Sequence, residues 1–361
     1  MVTWLFFVVL FLMIFKYLFF FDKANTLLVN FLMAGLIYFY GILKIIDKSK
    51  NYLNFRDIDY YYYYYKIVSL ESFSNYMGIH PKEYGFWHLN YILGLISNLT
   101  EVQYTIILFT LMSALYLVGI FIATKSKFID IYYLTILIFT ETSNGFINTV
   151  RQGFAIGILL IAYALILRKW NKSGFIVSLG AYLFHSSAII YPVNLLGTRV
   201  FKKVSLKYFW MLCVFTFFLS MTHLNQVIFG TIGANFNDNY SDYVSSTSYG
   251  DSAYTVFPII TFFYGFVINF LKNYTDSDST ERIDTLLKVY LLAASVFFCF
   301  SFIAFSDRIG KYAWTMVPLI LVYIVSHLHT KNDSKKLILV AIPVFFTILS
   351  YLMNSGSYFV Q

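Results

Sequence analysis

The stretch QYTIILFTLMSALYLVGIFIA (residues 103–123) runs its whole length without one charged side chain. Wound as an α-helix at about 1.5 Å per residue, it reaches about 30 Å, the thickness of a bilayer's hydrocarbon core. Similar apolar runs recur, with expected spans near 2–21, 25–43, 103–123, 128–143, 152–167, 174–197, 207–224, 253–271, 286–305, 312–328 and 337–354. A shorter apolar stretch at 86–99 is a further span or a re-entrant helix. Inside lipid the backbone must satisfy its own hydrogen bonds, and runs this long do so as helices. The expectation is an all-α polytopic transmembrane bundle of about 11–12 spans, one integral membrane domain over residues 1–361.

Composition points the same way. The chain is 59% hydrophobic and 12% charged, with a mean hydropathy of +0.68, against about 25% charged residues in a soluble domain. Its net charge of +8 does not imply nucleic acid as a partner, because the basic residues sit in short loops rather than in a stripe. Cys213 and Cys299 fall inside apolar runs and read as packing residues, not as a disulfide or metal ligands. The first 21 residues lack a basic start and a small-residue cleavage site, so they read as a span rather than a signal peptide.

Three segments interrupt the apolar pattern: a polar loop at 44–85 containing YYYYYY (60–65), a loop at 225–252 rich in Asn, Asp, Ser and Tyr, and a short charged stretch at 272–285. The most basic loops are 124–127, 168–172 (RKWNK), 199–207 (RVFKKVSLK) and 331–336 (KNDSKK). The positive-inside rule puts them in the cytoplasm and 44–102, 144–151, 225–252 and 306–311 outside. The basic loops on both sides of 174–197 cannot both be cytoplasmic if that segment crosses once. It is therefore expected to turn near His185-Ser186-Ser187, or else one basic loop faces outward and binds an anion.

Six arginines make a useful census. Arg168, Arg199 and Arg282 belong to basic or mixed-charge loops; Arg56, Arg151 and Arg308 fall on the expected outer side, where topology gives no reason for them. An arginine fork suits phosphate, and at a helix start Arg151 would be joined by free N–H groups. The alternative for Arg151 is a structural ion pair with Glu141 or Asp307. His185, flanked by Ser186, Ser187 and Ala188, is either hydrogen-bonded packing or a phosphate donor and proton shuttle. Among acidic residues of the polar loop, Glu83 in KEYGFWHLN and Asp59 in RDIDYYYY are candidates for a base. No phosphate loop, dinucleotide fingerprint or GxSxG elbow appears. No metal ligand set or cofactor is expected.

Read in order, RDIDYYYYY (56–64), EYGFWHLNYI (83–92), RQGFAIGILLIAY (151–163), FHSSAII (184–190) and DRIGKY (307–312) resemble the EpsG-like family of Wzy-type bacterial polysaccharide polymerases. The strongest part is RQ-x-x-A followed by H-x-S-A. By that resemblance Arg151, Gln152, His185, Ser187 and Arg308 occupy the family's recurring polar positions, and Asp59 and Glu83 its external acidic ones. The resemblance implies an architecture like membrane-embedded type C glycosyltransferases. It also implies transfer of a growing glycan from undecaprenyl pyrophosphate to the non-reducing end of a lipid-linked repeat unit, at the outer face of the cytoplasmic membrane. In that scheme Arg151 and Arg308, with Lys311 and Tyr312 of the DRIGKY motif, bind the pyrophosphate. Gln152 and Ser187 add substrate contacts, Glu83 or Asp59 is the base, and His185 assists. A flippase and a chain-length regulator are the implied partners. The rival classes are a lipid-linked oligosaccharide flippase, a glycan ligase and a membrane acyltransferase.

Overall fold

The computed structural model describes residues 2–19, 27–51, 56–80, 82–96, 98–125, 128–138, 149–201, 203–235, 252–303, 306–329 and 332–357. Among them the regular structure is helical, with one isolated bridge between Thr275 and Leu328. Among the described residues five helices are long and apolar enough to cross a membrane: Glu101–Thr124, Val150–Leu167, Val256–Tyr274, Ser277–Phe300 and Asp307–Ser326. Shorter apolar helical stretches lie at Leu5–Phe19, Leu28–Leu43 and Leu206–Met221. The chain is an all-α polytopic membrane protein.

Where the sequence reads as one domain, the structure gathers into two compact units: Met1–Ile189 with Thr330–Ser350, and Ile190–His329 with Tyr351–Gln361. The first contains α1 (Val2–Phe19), α2 (Leu27–Asn51), α3 (Arg56–Ile67), α4 (Phe73–Ile79), α5 (Tyr84–Ile96), α6 (Glu101–Thr124), α7 (Ile129–Ile138), α8 (Val150–Leu167) and α9 (Asn171–Tyr182). Helix α8 is enclosed over most of its length and packs on α6 and α9. Small residues set those approaches. A Cβ on Gly157 would meet Leu115 at 2.9 Å, and one on Gly174 would meet the Ala162 carbonyl oxygen at 2.9 Å. Close backbone approach replaces the hydrophobic drive that lipid removes between membrane helices.

The stretch expected as a polar loop at 44–85 is instead mostly helical. Helix α2 continues to Asn51, and α3, a 3-10 turn at Val68–Leu70 and α4 follow. Asp57 and Asp59 in the first turn of α3 and Lys66 in its last complement the helix dipole. Successive tyrosines then point to different sides. Tyr61 and Tyr65, one turn apart, are buried, while Tyr60 and Tyr63 are exposed. Buried Asn90 ties this helical cap together: Tyr104 donates to its Oδ1 (2.7 Å), and its Nδ2 donates to the Tyr76 hydroxyl (2.9 Å) and the Tyr61 carbonyl (3.2 Å). Tyr62 donates to the Leu99 carbonyl and Tyr65 accepts from the Leu99 N–H, which fixes α3 beside the start of α6.

The second unit comprises α10 (Ile190–Val200), α11 (Leu206–Met221), α12 (Leu224–Asn235), α13 (Ser252–Leu271), α14 (Ser277–Phe300), α15 (Asp307–Trp314) and α16 (Met316–Ser326). Of the expected 225–252 loop, 225–235 belong to α12 and 236–251 lie outside the described residues. Helix α14 starts at Ser277, well before the expected 286, because Asp276 caps it by accepting from the Ser279 N–H at 2.7 Å. Tyr290 and Trp314 both bond to Thr261, through its carbonyl and its hydroxyl respectively (2.6 Å each). The last helix is α17 (Asn332–Ser357). The 174–197 segment is not one helix. It breaks after Tyr182 into the turn at 183–185 and a 3-10 stretch at Ser186–Ile189, before α10 begins.

One buried charge pair lies among the apolar helices of the first unit. Lys16 of α1 is 7% exposed and donates to Asp130 of α7 (0% exposed) at 2.8 Å, to Asn30 of α2 at 2.5 Å and to the Tyr17 hydroxyl at 3.2 Å. Tyr17 in turn donates to the other Asp130 oxygen at 2.7 Å. Removing one partner of such a pair strands the other, at a cost of about 3–5 kcal/mol. Lys16→Met is expected to lower the thermal unfolding midpoint of the detergent-purified protein. Adding Asp130→Leu should restore most of the loss, since neither charge is then left alone.

Candidate functional site

A group of polar residues of the first unit converges where three helix ends meet. Arg151 stands in the first turn of α8, Glu83 just before α5, and His185, Ser186 and Ser187 in the break after α9. A backbone bond clamps two of these ends together: the Gly85 N–H donates to the Leu183 carbonyl at 2.7 Å. A Cβ on Gly85 would meet that carbonyl oxygen at 3.0 Å and Leu183 Cβ at 3.1 Å, so the approach depends on glycine.

Glu83 is the hub. Its side chain is 7% exposed, and its carboxylate takes Arg151 Nη1 on Oε2. Oε1 accepts from the Ser186 N–H (3.0 Å) and the Ser186 hydroxyl (3.4 Å), with His185 Nε2 at 4.0 Å. Its φ of 61° puts a non-glycine residue in the left-handed region, which costs about 1–2 kcal/mol. Such strain persists where the surroundings over-determine it, and functional sites are where it gathers.

Arg151 is held from several directions. Its Nε donates to the Tyr61 hydroxyl at 2.9 Å, and its guanidinium lies 5.4 Å from the Tyr61 ring and 5.9 Å from Trp87. The Arg151 side chain nevertheless remains 32% exposed. Burial pushes the Tyr61 phenol up to about 12, against the opposing pull of Arg151, so Tyr61 stays protonated. Asp57, one turn before Tyr61, also lies in the field of Arg151, and so does exposed Tyr60. The tautomer of His185 follows from its bonds. The Ser187 N–H (3.3 Å) and hydroxyl (2.7 Å) both face Nδ1. A peptide N–H can only donate, so Nδ1 accepts and the ring proton belongs on Nε2, facing Glu83.

Behind this cluster, His80 stacks on Trp87 with centroids 3.5 Å apart and planes 6° off parallel. Burial, with Arg151 nearby, holds the imidazole down to about 4.

The expected site residues divide between the units. Glu83, Arg151, His185 and Ser187 come together. Gln152 follows Arg151 but is 1% exposed, so it faces the interior. Asp59 is exposed on α3 and interacts with Glu101 at the start of α6; Asp57, not chosen as a base from sequence, is the acidic residue of that helix in Arg151's field. Of the alternatives expected for Arg151, Glu141 lies outside the described residues and Asp307, in the second unit, pairs with Lys311 at 3.0 Å; the carboxylate that Arg151 meets is Glu83. Arg308, Lys311 and Tyr312 belong to α15 of the second unit. Arg308 is exposed there, whereas Lys311 and Tyr312 are each 1% exposed, and Tyr312 packs on the Tyr191 ring at 5.1 Å. The sequence reading did not assign roles to Tyr61, His80, Trp87 and Ser186. Trp87 and Ser186 lie inside motifs quoted for other residues.

The EpsG family profile matches residues 51–360, most of the chain. The chain belongs to the EpsG family. EpsG is a Wzy-like polymerase family, associated with glycosyltransferase-like polymerases. No curated protein and no solved structure gives a significant match. Residues 1–50, with α1 and nearly all of α2, precede the matched region, so the Glu83–Arg151–His185 cluster lies wholly inside it and Lys16 outside.

The His80 environment predicts a pH dependence with a definite sign. The unfolded imidazole titrates near 6.5, the folded one near 4. Protonation therefore favours the unfolded state, and the folded cap has its full stability above about pH 6.5 and loses it as pH drops toward 4. Hydrogen-exchange protection factors across α4 and α5, each rate referred to the intrinsic exchange rate at its own pH, are expected to be lower at pH 5 than at pH 7.5. His80→Phe, which keeps a ring against Trp87, should remove most of that difference; an unchanged difference would assign it to another group.

Proposed function

We propose that this EpsG-family protein is a repeat-unit polymerase of the bacterial cytoplasmic membrane. On this reading it moves a growing glycan from undecaprenyl pyrophosphate to the non-reducing end of a lipid-linked repeat unit at the outer face. The single observation that carries the reading is the convergence of Arg151, Glu83 and His185 at helix ends inside the matched region. It supplies an arginine fork for phosphate, a carboxylate and an imidazole N–H within one cluster.

The chemistry balances without ATP. The acceptor hydroxyl attacks the anomeric carbon of the donor, and the new glycosidic C–O bond forms as the bond to pyrophosphate breaks. The pyrophosphate leaves with the electron pair, and Glu83 takes the hydroxyl proton. Arg151 offsets the charge that develops on the leaving group, the kind of donor whose removal costs about 10²–10³-fold in rate. His185 Nε2–H adds a second donor, and Ser187 fixes its tautomer. Exposed Tyr60 and Tyr63 offer ring faces and hydroxyls of the kind sugars pack against. Arg308 is the second arginine of the family pattern, and its contribution is tested separately by Arg308→Ala.

A gel of surface polysaccharide from a strain lacking only this gene tests the reading. Loss of the ladder with single repeat units still reaching the surface is the expected result. Loss of the single unit as well, with lipid-linked units accumulating inside, would identify a flippase instead. Complementation with Arg151→Ala or Arg151→Lys at normal protein level is expected to leave the ladder absent, because lysine lacks the fork. A full ladder with either variant would remove Arg151 from the reaction.

A further inference from the structure

Glu83 is bound the way an anionic ligand is bound. Three donors from two separate segments bond its two oxygens, the Arg151 guanidinium, the Ser186 peptide N–H and the Ser186 hydroxyl, and His185 Nε2 stands at 4.0 Å. These donor types also hold phosphate oxygens. The carboxylate reaches them from a left-handed backbone position, and Arg151 remains partly open to the outside. Both oxygens are engaged, so an acceptor hydroxyl would have to compete with these partners for the carboxylate.

We infer that Glu83 occupies the phosphate subsite of the substrate-free protein as an internal anion, and that the lipid pyrophosphate displaces it. This deepens the polymerase reading and rests on it. One anion replaces another, so Arg151 and Ser186 keep an anionic partner throughout the exchange. Displacement also frees the carboxylate that the reaction needs: Glu83 becomes a competent base only after the donor's pyrophosphate has taken its partners. Ser186, through its N–H and hydroxyl, is thereby assigned as a phosphate ligand. The acceptor proton then passes to the released carboxylate while the glycosyl–pyrophosphate bond breaks, so sugar is not activated before the donor is seated.

An internal competitor lowers apparent affinity by the fraction of time the pocket is free. Binding of undecaprenyl pyrophosphate to the full-length protein in nanodiscs is the measurement, with Glu83→Gln, Glu83→Ala and Arg151→Ala beside the wild type. Both Glu83 variants are expected to bind the pyrophosphate more tightly, by about tenfold if the carboxylate fills the pocket nine-tenths of the time. Their polymerisation should drop by about 10²-fold or more. Arg151→Ala should lose binding. If the Glu83 variants bind no more tightly while Arg151→Ala still loses binding, Glu83 is a brace: this inference falls and the phosphate role of Arg151 stands. Wild-type binding by Arg151→Ala would overturn the clamp itself. Hydrogen exchange of the wild type covers the case in which the Glu83 variants fail to fold. Added undecaprenyl pyrophosphate is expected to speed exchange at residues 82–86 as Glu83 is released. Slower exchange there would mean that Glu83 stays in place, and would overturn the inference.

Discussion

A helix end in an apolar surrounding exposes backbone donors and carbonyls that water cannot reach, and each must find a partner inside the protein. The candidate site lies where three such ends meet. The start of α5 gives its Gly85 N–H to the Leu183 carbonyl at the end of α9, and the Ser186 N–H after that break goes to Glu83. Glu83 then takes Arg151 from the first turn of α8. The same unmet backbone valence that makes helix ends expensive in a membrane protein thus gathers the polar groups into one place.

The aromatic surroundings serve that cluster. Six consecutive tyrosines look like low complexity in a linear reading, yet a helix sends them to different sides. Tyr61 holds Arg151 by its hydroxyl and ring, Tyr62 and Tyr65 grip the backbone at Leu99, and Tyr60 and Tyr63 stay exposed. Behind them Trp87 is covered by His80, whose low basicity keeps a second cation away from Arg151. Packing and electrostatics therefore leave Arg151 as the cation at the centre.

The Lys16–Asp130 pair follows another logic. It joins α1 and α2 to α7 with both charges nearly sealed from solvent, and its lysine lies ahead of the family-matched region. Charge pairing in apolar helices fixes partners and register because every misalignment leaves a bare charge. The N-terminal helices are thus attached by a polar contact, where lipid-like side chains alone would give little directional preference.

The sequence by itself determined the class and the elements of this protein. Apolar runs such as 103–123 can satisfy their backbone in lipid only as helices, and the ordered motifs around Arg151 and His185 carried the family. It left two readings for 174–197, a turn near His185-Ser186-Ser187 or an outward-facing basic loop, and the structure interrupts the helix at 183–189. It misread 44–85 as an open loop, because charge and tyrosine mask helical periodicity, although the Asp57, Asp59 and Lys66 placement was a legible dipole signal. Only the tertiary structure decided the partners. That Arg151 meets Glu83, and that Lys311 pairs with Asp307, are consequences of packing. Residues 68 positions apart along the chain are brought together by the burial of α8 and the glycine-dependent approach of α5 to the 183–185 turn, distances that no local pattern encodes.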